Sequence, residues 1–237
     1  MNQDDVKARF AATATQMAGL EERRRSVLAE QVRAFVPTTG EERAIDSAAG
    51  TGALAFALAP LVREVVAVDL VPELLAEGRA RAAAFSNVTF VEGDATALPA
   101  ADGAFDLATT IRSLHHIADP VGALRELARV TRPGGTVVVI DQIAPNDPAE
   151  AEAIHRFEQA RDVSHTRLLA DAELRELFAG LGLELQAVQV EDEVRDLEKY
   201  LDLADCSGEQ RARALALAPT RPSYTTQLAW YRLRRAG

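Results

Sequence analysis

Asp46 closes a short apolar run, Ala44-Ile45, and is followed by Ser47-Ala48-Ala49-Gly50-Thr51-Gly52 and the helix-forming stretch Ala53-Leu-Ala-Phe-Ala-Leu58. A strand, a loop of small residues and a helix open a nucleotide-binding βαβ unit. Gly50 and Gly52 free the backbone and leave room for a ligand against the main chain. The helix start points its unpaired N–H groups and positive dipole end at the same place. Asp69 ends the next apolar run, roughly 20 residues past the loop, where an acid can accept from both ribose hydroxyls. Asp94 follows a third run beside the small Ala95, placed to accept from the amino group of adenine. Each acid also has an ordinary use, as helix cap or turn residue. His115 and His116 follow a fourth run, at the rim where a second substrate would lie, and imidazole near neutrality can remove a proton from a nucleophile. His155 and His165 lie further on and could line the same pocket. Asp141 ends a fifth run without a clustered acid or histidine, so metal-assisted chemistry is not expected.

The elements that must position these residues alternate. Residues 4–36 have apolar positions at helical spacing, and Pro37 to Glu41 connect them to the first strand. Strands are predicted at Arg63–Asp69, Val88–Val91, Ala104–Ile111, Thr136–Asp141, Leu183–Val190 and Tyr224–Leu233, with helices at 52–59, 73–84 and 171–180. Asp119-Pro120 caps a further helix to Val130, and Arg132-Pro-Gly-Gly135 reads as a turn. This alternation implies a parallel sheet wound with helices on both faces. Helices at about 148–161 and within 195–218 read as additions covering an acceptor pocket, the second carrying Leu197, Tyr200 and Leu201. The chain, 1–237, is expected to be one domain: amino-terminal helices 1–36, a core at 40–190 and the helical insertion 195–218.

Composition excludes several classes of function. A formal net charge of −10 argues against a nucleic-acid surface. The basic clusters at 23–25 and 232–235 are expected to be solvated element ends. A single cysteine, Cys206, excludes an internal disulfide and fits a reducing compartment. The amino terminus is polar and acidic, unlike a secretory leader, and the longest apolar run, Ala53 to Val62, is too short to span a bilayer. A cytoplasmic protein is expected, with no membrane insertion and with homodimerisation left open.

Taken in order, Asp46-Ser-Ala-Ala-Gly-Thr-Gly52, Val68-Asp69, Gly93-Asp94-Ala95, Phe105-Asp106 and Arg132-Pro-Gly-Gly135 resemble the motifs of class I S-adenosylmethionine-dependent methyltransferases. Leu114-His-His116 is similar to the branch that contains ubiquinone and menaquinone C-methyltransferases and many small-molecule methyltransferases. The resemblance covers about residues 40–190. It implies a Rossmann-like, doubly wound α/β sheet of seven strands in the order 3-2-1-4-5-7-6, strand 7 antiparallel. It also implies that Asp46, Ala48, Gly50, Thr51 and Gly52 line the methionine end and ribose of S-adenosyl-L-methionine. Asp69 and Leu70 would hold the ribose and adenine edge, Asp94 and Ala95 the adenine, and Ile111 and Arg112 the methionine portion. Ala48 stands where the family's loop usually has its first glycine, and Met17 where relatives often have a tyrosine over the cofactor.

The expected function is therefore in-line methyl transfer to an O, N or C nucleophile of a small, apolar or aromatic acceptor, with His116 or His115 as candidate base. Positioning and exclusion of water supply much of the rate in such a displacement. Two alternatives stay open. The spacing Gly50-x-Gly52-x-x-Ala55 also fits a nicotinamide-dependent dehydrogenase, and an intact cofactor loop could serve a cofactor-binding protein that transfers no methyl.

Overall fold

The computed structural model describes residues 3–237. Met1 and Asn2, the start of the polar amino terminus, lie outside them. The strands β1 (Arg43–Ser47), β2 (Glu64–Asp69), β3 (Val88–Glu92), β4 (Phe105–Ile111) and β5 (Thr131–Ala144) pair in parallel in the order 3-2-1-4-5. The central strands are covered on both faces and have no polar side to alternate with, which is why residues 65–68 and 137–140 read as apolar stretches, whereas β3 at the sheet edge buries only Phe90. β6 (Leu183–Asp196) and β7 (Ser223–Arg235) are long, and β7 lies antiparallel between β5 and β6. The resulting order, 3-2-1-4-5-7-6, is the one the resemblance implies, with a two-residue strand at Leu169–Ala170 added beside the end of β5.

Helices cover both faces. On one, α4 (Pro120–Val130) and α6 (Asp171–Gly180) bury Leu124, Leu127 and Phe178 against Ile45, Val68 and Val137. Asp119 caps α4 by accepting from the Gly122 amide at 2.8 Å, with Pro120 in the first turn as read from the sequence. On the other face, α2 (Ala53–Leu58) and α3 (Pro72–Arg81) bury Leu54, Leu58 and Leu75 against Val65, Leu107 and Trp230. α1 (Gln3–Phe35) is one continuous helix of 33 residues rather than several. Its carboxyl end joins this second core through Val32, while Phe10, Ala14 and Met17 pack on Val71 and Leu74 at the start of α3.

Two expectations change. Arg132–Gly135 is not a turn before the strand but an irregular stretch inside β5. Phe105 pairs with Thr131 and Leu107 with Thr136, so the intervening residues bulge out of register, with Gly134 at φ 76°. The second concerns α5 (Pro148–Arg161), α7 (Leu197–Asp202) and α8 (Gly208–Leu217), which form a third core with one another around Phe157, Leu201 and Tyr224. Tyr200 is 4% exposed there, donates to Glu158 Oε1 at 2.9 Å, and lies between the guanidinium groups of Arg161 and Arg195, 4.0 and 4.5 Å from its ring centre. Burial pushes its hydroxyl pKa up to about 12.

The sheet buries one acid without a full set of partners. Asp46 is wholly inaccessible; Oδ1 accepts from Thr109 Oγ1 at 2.9 Å, and Oδ2 has no partner. Burial, opposed by the Thr109 bond, raises its pKa to about 7. The folded state therefore holds this proton more tightly than the unfolded chain does. The stability so contributed is complete below the ordinary carboxyl pKa of about 4 and is lost as pH rises towards 7.

Two measurements follow. Tyr200→Ala should destabilise the protein by about 3–5 kcal/mol, the usual cost of emptying a buried aromatic site, and leave cofactor affinity unchanged. Denaturant unfolding beside calorimetric titration checks both. Asp46→Asn should stabilise the ligand-free protein relative to wild type, with a gain that grows from pH 5 to pH 7.5 and then levels off. Its upper bound is about 4 kcal/mol. A gain independent of pH would contradict the assigned titration.

Candidate active site

A cleft of about 830 Å³ opens at the carboxyl edge of β1, β2 and β4, between that edge and α1. The loop after β1 forms its floor. Ala48, Gly50 and Gly52 all have left-handed backbones, at φ 52°, 58° and 91°. At Ala48 the methyl group costs about 1–2 kcal/mol, which explains why a glycine suits this position. A side chain at Gly50 would meet no protein atom within 4 Å, so the space beside it is open. Gly52 is constrained differently: a Cβ there would sit 2.7 Å from Phe90, whose ring also presses on Gly78 of α3.

The loop is held from both sides. Asp69, 7% exposed, accepts from the Gly50 amide at 2.7 Å and the Val71 amide at 2.9 Å, so one carboxylate ties the loops after β1 and β2 together. Burial raises its pKa. From α1, Glu21 hydrogen-bonds the Thr51 hydroxyl, and burial raises its pKa as well. Arg81 of α3 donates to the carbonyls of Ala18 and Thr51, both at 2.9 Å, fixing helix and loop to each other. Ala48, Gly50, Asp69, Leu70, Asp94, Ala95, Ile111, Arg112 and His116 line the cleft together, as does Met17. Asp94 Oδ1 accepts from the Thr96 amide and hydroxyl, both at 2.8 Å, so the acid also builds its own turn. Asp46, Thr51 and Gly52, expected to line the methionine end and ribose of the cofactor, are buried and do not line the cleft.

The far end of the cleft carries the charged and titratable groups. Arg112, left-handed at φ 51°, pairs with Glu193 of β6, which also accepts from Arg195. Against burial, which raises it, these two guanidinium groups hold the Glu193 pKa at about 2. His116 is half-buried; its Nδ1 is 2.9 Å from Ser164 Oγ, and Phe10 of α1 meets its ring edge-on, with centres 5.0 Å apart. Burial first, then the neighbouring His115, lowers its pKa well below the ordinary value, leaving a neutral imidazole.

His115 does not share this position. It is 5% exposed, lines no part of the cleft, and places Nδ1 2.6 Å from Asp141 Oδ1. Asp141, which has no histidine near it in sequence, is thus buried and partnered. His165 is buried with both ring nitrogens unpartnered, its pKa lowered by burial to about 4, and neither it nor His155 lines the cleft.

The cover of the cleft is α1, reaching from Val6 and Phe10 to Gln31, with the end of β6 opposite. α5, α7 and α8 contribute nothing to the lining. An apolar stripe requires burial but does not say against which surface. Sequence reasoning missed Phe10, Glu21, Ser164 and Glu193, whose partners lie 106, 30, 48 and 81 residues away. No local motif encodes such pairings. Among the described residues, no group of three or more acids, histidines or cysteines is placed to hold a metal ion, and no helix is long and apolar enough to cross a membrane.

Comparison with known proteins agrees with this geometry. Residues 45–139 match the family described as methyltransferase domain, which answers the nicotinamide alternative. YcgJ of Bacillus subtilis, described as an uncharacterised methyltransferase, is 35% identical over 151 residues, covering 63% of this chain and 60% of that protein. A demethylmenaquinone methyltransferase of Clavibacter sepedonicus is 42% identical over 116 residues, 49% of this chain and 47% of that protein. The match thus spans between about half and three-fifths of these relatives' length. The crystal structure of YcgJ superimposes with a TM-score of 0.85 at 23% identity, over 90% of this chain and 99% of that one. The [4+2]-cyclase SpnF shares the fold with a TM-score of 0.65 at 20% identity, over 90% of this chain and 80% of that one. In its ordered motifs, its 3-2-1-4-5-7-6 sheet and its methyltransferase domain matched at residues 45–139, the chain is similar to the class I S-adenosylmethionine-dependent methyltransferases.

Proposed function

We propose that the protein transfers the methyl group of S-adenosyl-L-methionine to a small, largely apolar acceptor. The observation that carries this reading is the continuity of the cleft, from the glycine loop and Asp69 at one end to Arg112 and His116 at the other, under one helix. Its volume of about 830 Å³ falls in the range of small-molecule sites. The open space beside Gly50 and the small side chains of Ala48 and Ala95 fit a cofactor lying against the main chain.

In this reading Asp69 accepts from the ribose hydroxyls with the lone pairs its two amide partners leave over. Leu70, Asp94 and Ala95 hold the adenine, and Ile111 and Arg112 flank the methionine portion. Asp46, Thr51 and Gly52 act by fixing the loop. Bound there, the cofactor supplies an already activated sulfonium methyl. Phe10, Leu20, Val27 and Leu28 of α1 offer the acceptor an apolar wall, and α1 keeps water from the reacting groups. His116, neutral and facing the cleft, takes the proton of an O–H, N–H or enolic acceptor. Leu185, Val188 and Val190 leave apolar surface exposed along the β6 edge, which a second copy of the chain would bury.

Incubation with S-adenosylmethionine and a panel of small aromatic and apolar metabolites, read by mass, should yield a methylated product. Binding of the cofactor with no product from any acceptor would favour the non-methylating alternative. Asp69→Ala should weaken cofactor binding about 10- to 100-fold by calorimetry, from the loss of charge-assisted hydrogen bonds of about 1.5–3 kcal/mol. It should also lower the melting temperature of the ligand-free protein, because the Gly50 and Val71 amides lose their partner. An unchanged dissociation constant would remove Asp69 from the site. His116→Gln should lower kcat about 10²- to 10⁴-fold with little change in cofactor affinity. Activity within a fewfold of wild type would leave His116 a packing residue.

A further inference from the structure

The geometry points to a positioning chain, Arg9–Asp162–Ser164, that holds His116 in the tautomer carrying hydrogen on Nδ1 and thereby keeps Nε2 as the basic nitrogen open to the cleft. It deepens the reading of His116 as a base and rests on it for its catalytic meaning, though not for its structural content.

Donors and acceptors around Ser164 admit one arrangement of hydrogens. Asp162 is 1% exposed and sits just after α5. Arg9 grips it with two bonds, Nε to Oδ1 at 3.0 Å and Nη2 to Oδ2 at 2.6 Å, while Arg161 stands 3.7 Å away. Burial would raise its pKa, but the guanidinium groups of Arg9 and Arg161 hold it far below the ordinary range. Asp162 is therefore a carboxylate, which can only accept. Its Oδ1 takes the Ser164 amide at 2.9 Å and the Ser164 hydroxyl at 2.6 Å. Serine has a single hydroxyl hydrogen, and that hydrogen is now committed. The contact of 2.9 Å between Ser164 Oγ and His116 Nδ1 can then be a hydrogen bond only if Nδ1 donates.

With Nδ1 as donor, the neutral ring has its lone pair on Nε2. When an acceptor loses its O–H or N–H hydrogen on methylation, that proton forms a bond to Nε2 and the ring becomes an imidazolium. Asp162, reached through Ser164, is the anion that opposes the new charge. The chain begins on the cover of the cleft. Arg9 and the next residue, Phe10, are both on α1, and Phe10 meets the His116 ring edge-on. Docking of the amino-terminal part of α1 thus orients the base as well as closing over it. The distances in sequence, 153 residues from Arg9 to Asp162 and 48 from His116 to Ser164, make this an assembly of tertiary packing.

The test begins with the unmodified, ¹⁵N-labelled full chain and no acceptor. Long-range ¹H–¹⁵N correlation at neutral pH, with the His116 signals identified by their loss in His116→Gln, should show a protonated, pyrrole-type Nδ1 and a pyridine-type Nε2. The opposite tautomer, or two protonated nitrogens, overturns the inference. Ser164→Ala should release the preference towards a mixture of tautomers and lower kcat roughly 10- to 100-fold, the scale on which partners of an oriented imidazole act, with cofactor affinity unchanged. A tautomer unaltered in Ser164→Ala also overturns it. Should that variant fail to fold, Arg9→Met carries the same expectation from the other end of the chain. If methylation is observed while His116 is the Nε2–H tautomer, this inference falls alone. If the Nδ1–H tautomer is found and no acceptor is methylated, the functional reading fails and the positioning chain stands.

Discussion

The carboxylate of Asp69 accepts from two backbone amides, Gly50 and Val71, that belong to different loops of the sheet edge. Loops that face a ligand rather than each other have few contacts to define them, and a backbone N–H without a partner is costly when buried. One buried acid resolves both problems, and the rest of the site is referred to it. Val71, whose amide it takes, packs with Leu74 against Phe10, Ala14 and Met17, so the same junction seats α1. α1 in turn brings Glu21 to Thr51, and Arg81 closes the circuit from α3. The cleft keeps its shape because its floor and its cover share partners.

This arrangement divides the site into two parts with different physical demands. Around the glycine loop the protein offers main chain, small side chains and left-handed backbone, features that bind by shape and by amide donors. Around His116 it offers a buried network of full charges, Arg9, Asp162, Arg161 and Glu158, compensated among themselves. Single charges buried there would be unstable, whereas paired ones hold their geometry firmly once formed. The third core, with Tyr200 between two guanidinium groups, is the scaffold that keeps this network in place. It lies behind the His116 end of the cleft rather than over it.

The legibility of the sequence follows the same division. The loop at 46–52, the strand-end acids and the alternating elements depend on local backbone requirements, and short stretches of sequence state them directly. His116 lines the cleft where its place past β4 led one to expect it, but its partner Ser164 was not legible, because a serine in a connector carries no signal of the ring it will meet. His115, its neighbour in sequence, turned out to be buried against Asp141, since successive residues in a tight turn point to different sides. The amphipathic pattern at 195–218 correctly announced a face to be buried. It could not say that α5 and Tyr224 of β7 would bury it, nor that a long amino-terminal helix would take the cover's place.

Phe90 presses on Gly52 in the loop after β1 and on Gly78 within α3, where a Cβ at either glycine would overlap the ring. A glycine inside a helix is ordinarily the easiest of replacements, and alanine there would add helical propensity. Here that route is barred for as long as the phenylalanine remains. The three positions are bound into an evolutionary order: β3 must first accept a smaller side chain at 90 before α3 can shed its glycine. A lineage that made the helical change first would lose the close approach of helix to loop. Substitutions at 52, 78 and 90 should consequently be historically contingent on one another, although only the first lies in a recognisable motif.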